Sequence, residues 1–135
     1  MNDIHKAAGV IIRDRKLLFE RSKDKQFFIA PGGSIEAGET AEQALVRELM
    51  EEFRIVVDEI DLEPFGTFSA EAANHPGRQV HMYVFVVKNW QGEPTPDNEV
   101  EEILWLDSGN VHSVPVGSIF GHEILPRLHK AGLIG

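Results

Sequence analysis

The stretch Gly32-Gly33-Ser34-Ile35-Glu36-Ala37-Gly38-Glu39-Thr40-Ala41-Glu42-Gln43-Ala44-Leu45-Val46-Arg47-Glu48-Leu49-Met50-Glu51-Glu52-Phe53 reads as a glycine loop running into a helix. Thr40 is suited to be an N-cap and Gln43, three positions on, its capping-box partner, which predicts a helix from about Ala41 to Phe53. Projected at 100° per residue, Leu45, Leu49, Phe53, Val46 and Met50 share a broad arc expected to be buried. Glu48, Glu51 and Glu52 fall in an adjoining arc at i, i+3, i+4 spacing, with Ala41 and Ala44 leaving room around them. Two like charges 5 to 6 Å apart repel by about 3 kcal/mol at an effective dielectric of 20. Three such acids beside a buried stripe call either for full solvation or for a cation. Hard divalent ions such as Mg²⁺ take oxygen ligands and keep water and substrate phosphate in their shell.

The order Gly33, five residues, Glu39, seven residues, Arg47-Glu48-Leu49, one residue, Glu51-Glu52 resembles the Nudix box. That motif marks hydrolases of a nucleoside diphosphate linked to another moiety. The resemblance implies an α/β fold, a three-layer α/β/α sandwich with a mixed β-sheet. It also implies a centre for Mg²⁺, or Mn²⁺, held by Glu48, Glu51, Glu52 and the carbonyl of Gly33, with Arg47 holding and orienting the acids and paired with Glu39. Gly32 and Glu39 belong to the motif as structural positions. One position departs from the pattern: where the family has Gly two places after the Glu pair, this chain has Arg54, followed by Ile55. That Gly ends the helix in a left-handed conformation, which a non-Gly residue adopts at a cost of about 1 to 2 kcal/mol.

At 135 residues the chain is expected to be a single domain, 1–135, with a sizeable core. It has no Cys, which excludes disulfides, thiolate catalysis and Cys-based zinc sites. The N-terminus begins no secretory pattern and no apolar run approaches the ~20 residues that span a bilayer, so a soluble, cytoplasmic protein without a membrane partner is expected. The net charge of −9 argues against duplex nucleic acid as a partner. Residues 36 to 52 hold six acids against one base, and residues 97 to 102 hold four against none. Such clusters repel a polyphosphate unless cations bridge the two. A small nucleotide is therefore the expected partner. A homodimer stays open, because oligomeric state is not written in the chain.

Outward from the box, Ala7 to Ile12 and Lys16 to Arg21 read as two strands of a hairpin turning at Asp14-Arg15. The unalternating run Gly9-Val10-Ile11-Ile12 suits a strand covered on both faces. Arg21 is either a solvated strand end or, as the resemblance implies, a substrate-phosphate ligand. Phe27 to Gly33 reads as a short strand stopped by Pro31 and the glycines. Phe28 stands where related sequences carry Trp and is a candidate for stacking on a base, with core packing the role of at least one of Phe27 and Phe28. A P-loop is excluded by the lack of Lys-Ser or Lys-Thr after the last Gly.

Beyond the helix, Leu62 to Phe68 and Val80 to Val87 read as strands joined by a long polar loop, in which His75 and Arg78 are candidate substrate contacts. His81 reads as a core histidine. Glu99-Val100-Glu101-Glu102-Ile103-Leu104-Trp105-Leu106 is a strand with an acidic lead-in. An acid in this region can, by the resemblance, complete the metal site or act as general base; Glu99 and Glu102 both qualify, with Glu99 preferred for its place in the loop. Ser118 to Ala131 reads as a second helix, interrupted or restarted at Pro126, covering the sheet with Ile119, Phe120, Ile124, Leu125 and Leu128.

The chemistry these residues suit is hydrolysis of a pyrophosphate bond, with Glu52, Glu51 or Glu99 taking the proton of the attacking water. The subfamily marks for ADP-ribose, dinucleoside polyphosphates, coenzyme A and NADH are absent, which leaves a MutT-like enzyme of (deoxy)nucleoside triphosphates, oxidised ones included. Other nucleoside diphosphate derivatives, a nucleotide-binding module without turnover and a plain acidic interaction domain are the alternatives.

Overall fold

The computed structural model describes residues 3–71, 77–117 and 123–135. His75, Ile119 and Phe120 lie outside them. Two β-sheets carry the architecture. The first has the order β4-β1-β6-β5, with β1 (Ile4–Val10) parallel to β6 (Gln79–Val87) and antiparallel to β4 (Gly32–Ser34), and with β5 (Leu62–Glu71) antiparallel to β6. The second is antiparallel, in the order β2 (Ile12–Arg13), β3 (Lys16–Ser22), β7 (Val100–Leu106). β2 and β3 turn at Asp14 and Arg15, both at positive φ, the conformation that a two-residue hairpin needs.

Successive residues on the strands go to opposite cores. Ala7, Leu18, Phe85 and Val87 pack with Leu45, Leu49 and Phe53 of helix α1 (Ala41–Phe53). Ala8, Leu17, Phe19 and Val84 pack with Leu125 and Leu128 of helix α2 (Leu125–Lys130). Sheet residues thus lie between two helical layers, an α/β/α sandwich. The unalternating apolar strand is explained in the same way, because both of its faces are covered.

Helix α1 begins where the capping box places it. The Thr40 hydroxyl accepts from the Gln43 N–H at 3.1 Å and Gln43 Oε1 accepts from the Thr40 N–H at 3.0 Å. Its buried residues are Ala44, Leu45, Leu49 and Phe53, while Met50 is 47% exposed, so the expected burial of Met50 is corrected. Taking Ala44 as origin, the inward arc runs through Leu45 and Leu49 to Phe53 at about 180°, and Met50 falls outside it at about 240°. Glu48 and Glu52, at about 40° and 80°, stand inside the arc instead of beside it. Two acids therefore face the sheet, and only Glu51 looks outward.

Three other expectations change. The strand predicted over 27–33 is confined to Gly32–Ser34, with single bridges at Phe28 and Ile29 before it. Pro31 has no N–H to donate to a ladder. Gly32 (φ 146°) lies so close to β1 that a Cβ there would stand 2.0 Å from the Ala7 carbonyl oxygen. The tail helix spans Leu125–Lys130 among the described residues, with Pro126 in its first turn, where a missing N–H is harmless. His81 is only partly covered: it bonds Ser69 Oγ at 2.9 Å and Asp3 Oδ2 at 2.8 Å and stacks on His5 at 5.0 Å.

Candidate active site

The glycine loop, α1 and β3 meet at one cluster of carboxyl groups. Arg47 holds its outer side. Nε and Nη2 grip Glu39 at 2.8 and 2.9 Å, Nη1 donates to Glu48 at 2.9 Å, and Nη2 donates to the Ser34 carbonyl at 3.2 Å. Its i,i+4 partner Glu51 is further away, at 3.5 Å, and 49% exposed. The fork on Glu39 fixes the loop to the helix, a geometry that a planar guanidinium makes and an ammonium does not. These bonds to Arg47, and the Glu36 N–H behind them, hold the Glu39 carboxyl down at about 2.

The inner side is different. Glu48 is 13% exposed, and its carboxyl lies against Gly33 so tightly that a Cβ there would be 2.5 Å from the carboxyl carbon. Glu52 is half-buried, and its Oε2 is buried without a hydrogen-bond partner. Burial first, and then the charge of Glu48, raise its carboxyl to about 7. Beside it stands Glu20, on the same face of β3 as Leu18, at 2% exposure and with its own Oε2 unpartnered. Burial first, and then the charge of Glu52, push Glu20 up to about 9. The polar groups that act on it are the Glu52 and Glu48 carboxyls and the backbone N–H of Gly32.

The sequence pattern does not single out Glu20. The available signal is an acid directly after the apolar run Leu17-Leu18-Phe19, two residues after a core leucine and hence on the same strand face.

The C-terminal end of α1 is fixed without the expected glycine. Arg54 takes the left-handed conformation itself (φ 59°, ψ 31°), and its N–H reaches back to the Met50 carbonyl at 3.1 Å. A following loop supplies donors to the last carbonyls: Thr95 N–H to Phe53 and Asp97 N–H to Glu52 at 2.9 Å, and Asn98 Nδ2 to Glu51 at 2.8 Å. Arg54 Nε pairs with Asp97 at 3.1 Å across the same junction. Glu99 is exposed and directly follows this clamp, so the loop that carries it is tied to the helix that carries Glu51 and Glu52.

The remaining sequence candidates sit further out. Arg21 is bound to Glu101 at 3.1 Å and Glu102 at 3.3 Å and donates to the Lys25 carbonyl. Its guanidinium is thus committed to β7, and of the two candidate acids Glu102 is held while Glu99 stays in the loop. Phe28, at 5% exposure, is in the α2-side core, which corrects its assignment as a stacking surface; Phe27, at 58%, is the exposed aromatic of the pair. A register that turns Phe28 inward turns its neighbour outward. Arg78 is half-buried immediately before β6.

The donors around Glu52 are all oxygens, which suits a hard divalent cation. The unpartnered Glu52 Oε2 and the Gly33 cradle around the Glu48 carboxyl fit one. Among the described residues no three His, Asp or Glu side chains stand preassembled as a ligand set. Glu48 is turned to Arg47, as expected of carboxylates that repel one another. None of the helices described is long and apolar enough to cross a membrane.

Comparison with known proteins agrees with this geometry. The NUDIX domain matches residues 3–128. The chain is 33% identical to an 8-oxo-dGTP diphosphatase of Haemophilus influenzae, over 94% of this chain and 95% of that protein. It is 30% identical to an ADP-ribose pyrophosphatase of Methanocaldococcus jannaschii, over 85% of this chain and 66% of that one. Among solved structures, the Escherichia coli ORF135 protein superposes with a TM-score of 0.76 at 27% identity, covering 97% of this chain and 94% of that one. The chain belongs to the NUDIX family, whose members are hydrolases of nucleotide phosphoric anhydrides.

Proposed function

We propose that this chain is a Mg²⁺-dependent pyrophosphohydrolase of (deoxy)nucleoside triphosphates, oxidised purine forms included, releasing a nucleoside monophosphate and pyrophosphate. The observation that carries the reading is the buried, unpartnered Glu52 oxygen, set beside Glu48 and against the glycine loop. An acid so placed destabilises the fold unless a cation or a proton neutralises it. The identity to the H. influenzae 8-oxo-dGTP diphosphatase over nearly the full length of both chains supports the substrate class.

Glu48, Glu51, Glu52 and the Gly33 carbonyl would hold Mg²⁺, with Mn²⁺ as a substitute. When bound, the cation supplies charge neutralisation of the diphosphate and acidification of water. The residues of the chain do the rest. Arg47 keeps Glu39 and Glu48 in place and stays off the substrate, because its donors are already engaged. A carboxylate takes the proton of the attacking water, and Glu52, at the inner side of the cluster, is the first candidate for it. Glu51 and Glu99 are the other acids within the same framework. Phe27, exposed ahead of the glycine loop, replaces Phe28 as the aromatic available to a base.

The test is phosphorus NMR of products from nucleoside triphosphates (8-oxo-dGTP among them), ADP-ribose, nucleotide sugars and dinucleoside polyphosphates, with Mg²⁺ and with Mn²⁺, beside Glu52→Gln. Release of pyrophosphate from triphosphates, lost in the variant, is the expected result. Turnover of ADP-ribose in preference would replace the substrate class, and no turnover of any compound with either cation would end the enzymatic reading.

A further inference from the structure

We propose that Glu20 is itself a ligand of the divalent cation, so that the metal centre of this protein is built from strand β3 as well as from helix α1 and the glycine loop. The inference rests on the metal-dependent reading above and adds to it a residue outside the Nudix box.

The position is unusual for an acid. Glu20 is the buried charged residue of the described core, at 2% exposure, between Phe19 in one core and Arg21 at the rim. A carboxylate held only for structure would be expected to meet a cationic side chain or to have both oxygens hydrogen-bonded. Glu20 has neither. Its neighbours are two further carboxyl groups, Glu52 and Glu48, and one backbone N–H, that of Gly32, while Oε2 is without a partner. The facing Glu52 also buries an unpartnered Oε2. Two ionised carboxylates have no donor to share, so this contact persists only with a proton or a metal ion between them.

The surroundings favour the ion. Arg47, the nearest neutralising group to Glu48, is already gripped by Glu39, which leaves Glu20, Glu48 and Glu52 short of positive charge. The Gly32 N–H beside Glu20 belongs to the residue before Gly33, the loop glycine packed on the Glu48 carboxyl. Carboxyl groups from β3 and α1 thus adjoin one another beside the glycine loop, where a cation would have to draw them together. An all-oxygen set drawn from rigid elements is what a hard cation of high coordination number takes.

The experiment is titration of Mn²⁺ into the intact chain, followed by electron paramagnetic resonance of the free ion. It compares wild type, Glu20→Gln and Glu52→Gln, with folding checked by circular dichroism. If Glu20 is a ligand, Glu20→Gln weakens Mn²⁺ binding about ten-fold or more, or removes one bound ion, as Glu52→Gln does. Wild-type affinity and stoichiometry in Glu20→Gln, with binding lost in Glu52→Gln, overturn the assignment and leave the hydrolase reading intact. Wild type that binds no Mn²⁺ overturns both. Should Glu20→Gln fail to fold, a crystal structure of wild type grown with Mn²⁺ decides: a Glu20 oxygen about 2 Å from the anomalous peak supports the proposal, and a Glu20 carboxyl turned from the ion defeats it.

Discussion

The two sides of the acidic cluster on α1 use the same residue type for opposite ends. On the outer side, Glu39 meets Arg47 and the Glu36 N–H, and its carboxyl is held at about 2. On the inner side, Glu20 and Glu52 lie among other carboxyl groups, each with an unpartnered buried oxygen, and stand near 9 and 7. The satisfied side makes the framework. The unsatisfied side stores repulsion, which on the proposed function a cation relieves, and on that reading the difference separates residues kept for position from residues kept for chemistry.

The sharpest way to break this contrast is Glu52→Gln. If the inner acids serve chemistry, turnover falls by about 10³-fold, the scale of a lost acid–base group, while the metal-free protein keeps or raises its melting temperature. Equal loss of stability and activity would instead make Glu52 a framework residue like Glu39.

The pH dependence of the metal-free protein is the next measure. Glu20 has a folded value raised from 4.5 to about 9, so the folded state keeps a proton that the unfolded state releases. The stability this contributes is full below pH 4.5 and is lost as pH rises toward 9. Glu39 has the opposite sign: its folded value is lowered to about 2, so its contribution is present above the unfolded value and is lost as pH falls toward 2. Melting temperature measured in chelator should therefore decline from pH 6 to pH 9, and Glu20→Gln should flatten that decline. A profile unchanged by the substitution would remove Glu20 from the unsatisfied side.

On the framework side, Arg47→Met leaves Glu39 and Glu48 without their shared cation. A loss of about 2 kcal/mol is expected, on the order of 7 °C in melting temperature, with Mg²⁺ restoring part of it through Glu48. Arg47→Lys should recover less than half, because an ammonium does not reproduce the fork on Glu39. Full recovery by Lys would show that charge alone, and not geometry, makes the framework.

The same contrast governs what was legible in the chain. Thr40 and Gln43 place the start of α1 because a capping box is local, and the retained acids at fixed spacing point to the family for the same reason. Glu20 escaped because its burial follows from the face of β3 turned to α1, and the commitment of Arg21 to Glu101 and Glu102 follows from the β3–β7 register, which pairs Arg21 with Glu102. Both depend on distant pairing. Phe28 and Met50 are each off by a single step of period, one along an extended segment and one around a helix. An apolar side chain declares that it will be buried somewhere, and it is the partner surface that decides which of two neighbours is.

Arg54 gives the smallest effect and tests the join between the two sides. The left-handed conformation costs a non-Gly residue about 1 to 2 kcal/mol, and Arg54 bears it at φ 59°. The exposed pair with Asp97 returns at most about 1 kcal/mol of this. Arg54→Gly should accordingly stabilise the protein by about 0.5 to 1 kcal/mol, read as a rise of a few degrees in melting temperature. Activity should be unchanged, because the aim of Glu51 and Glu52 is set by the Thr95, Asp97 and Asn98 donors to the helix end, which the substitution leaves in place. If turnover rises with the glycine, the strain at Arg54 reaches the acids and the loop clamp does not isolate them. Asn98→Gly, which suits the left-handed φ of 51° at that position, then separates the two causes. It removes the donor to the Glu51 carbonyl without touching the turn, so a fall in turnover from this change, with Arg54→Gly silent, assigns the positioning of the acidic pair to the loop that leads into Glu99.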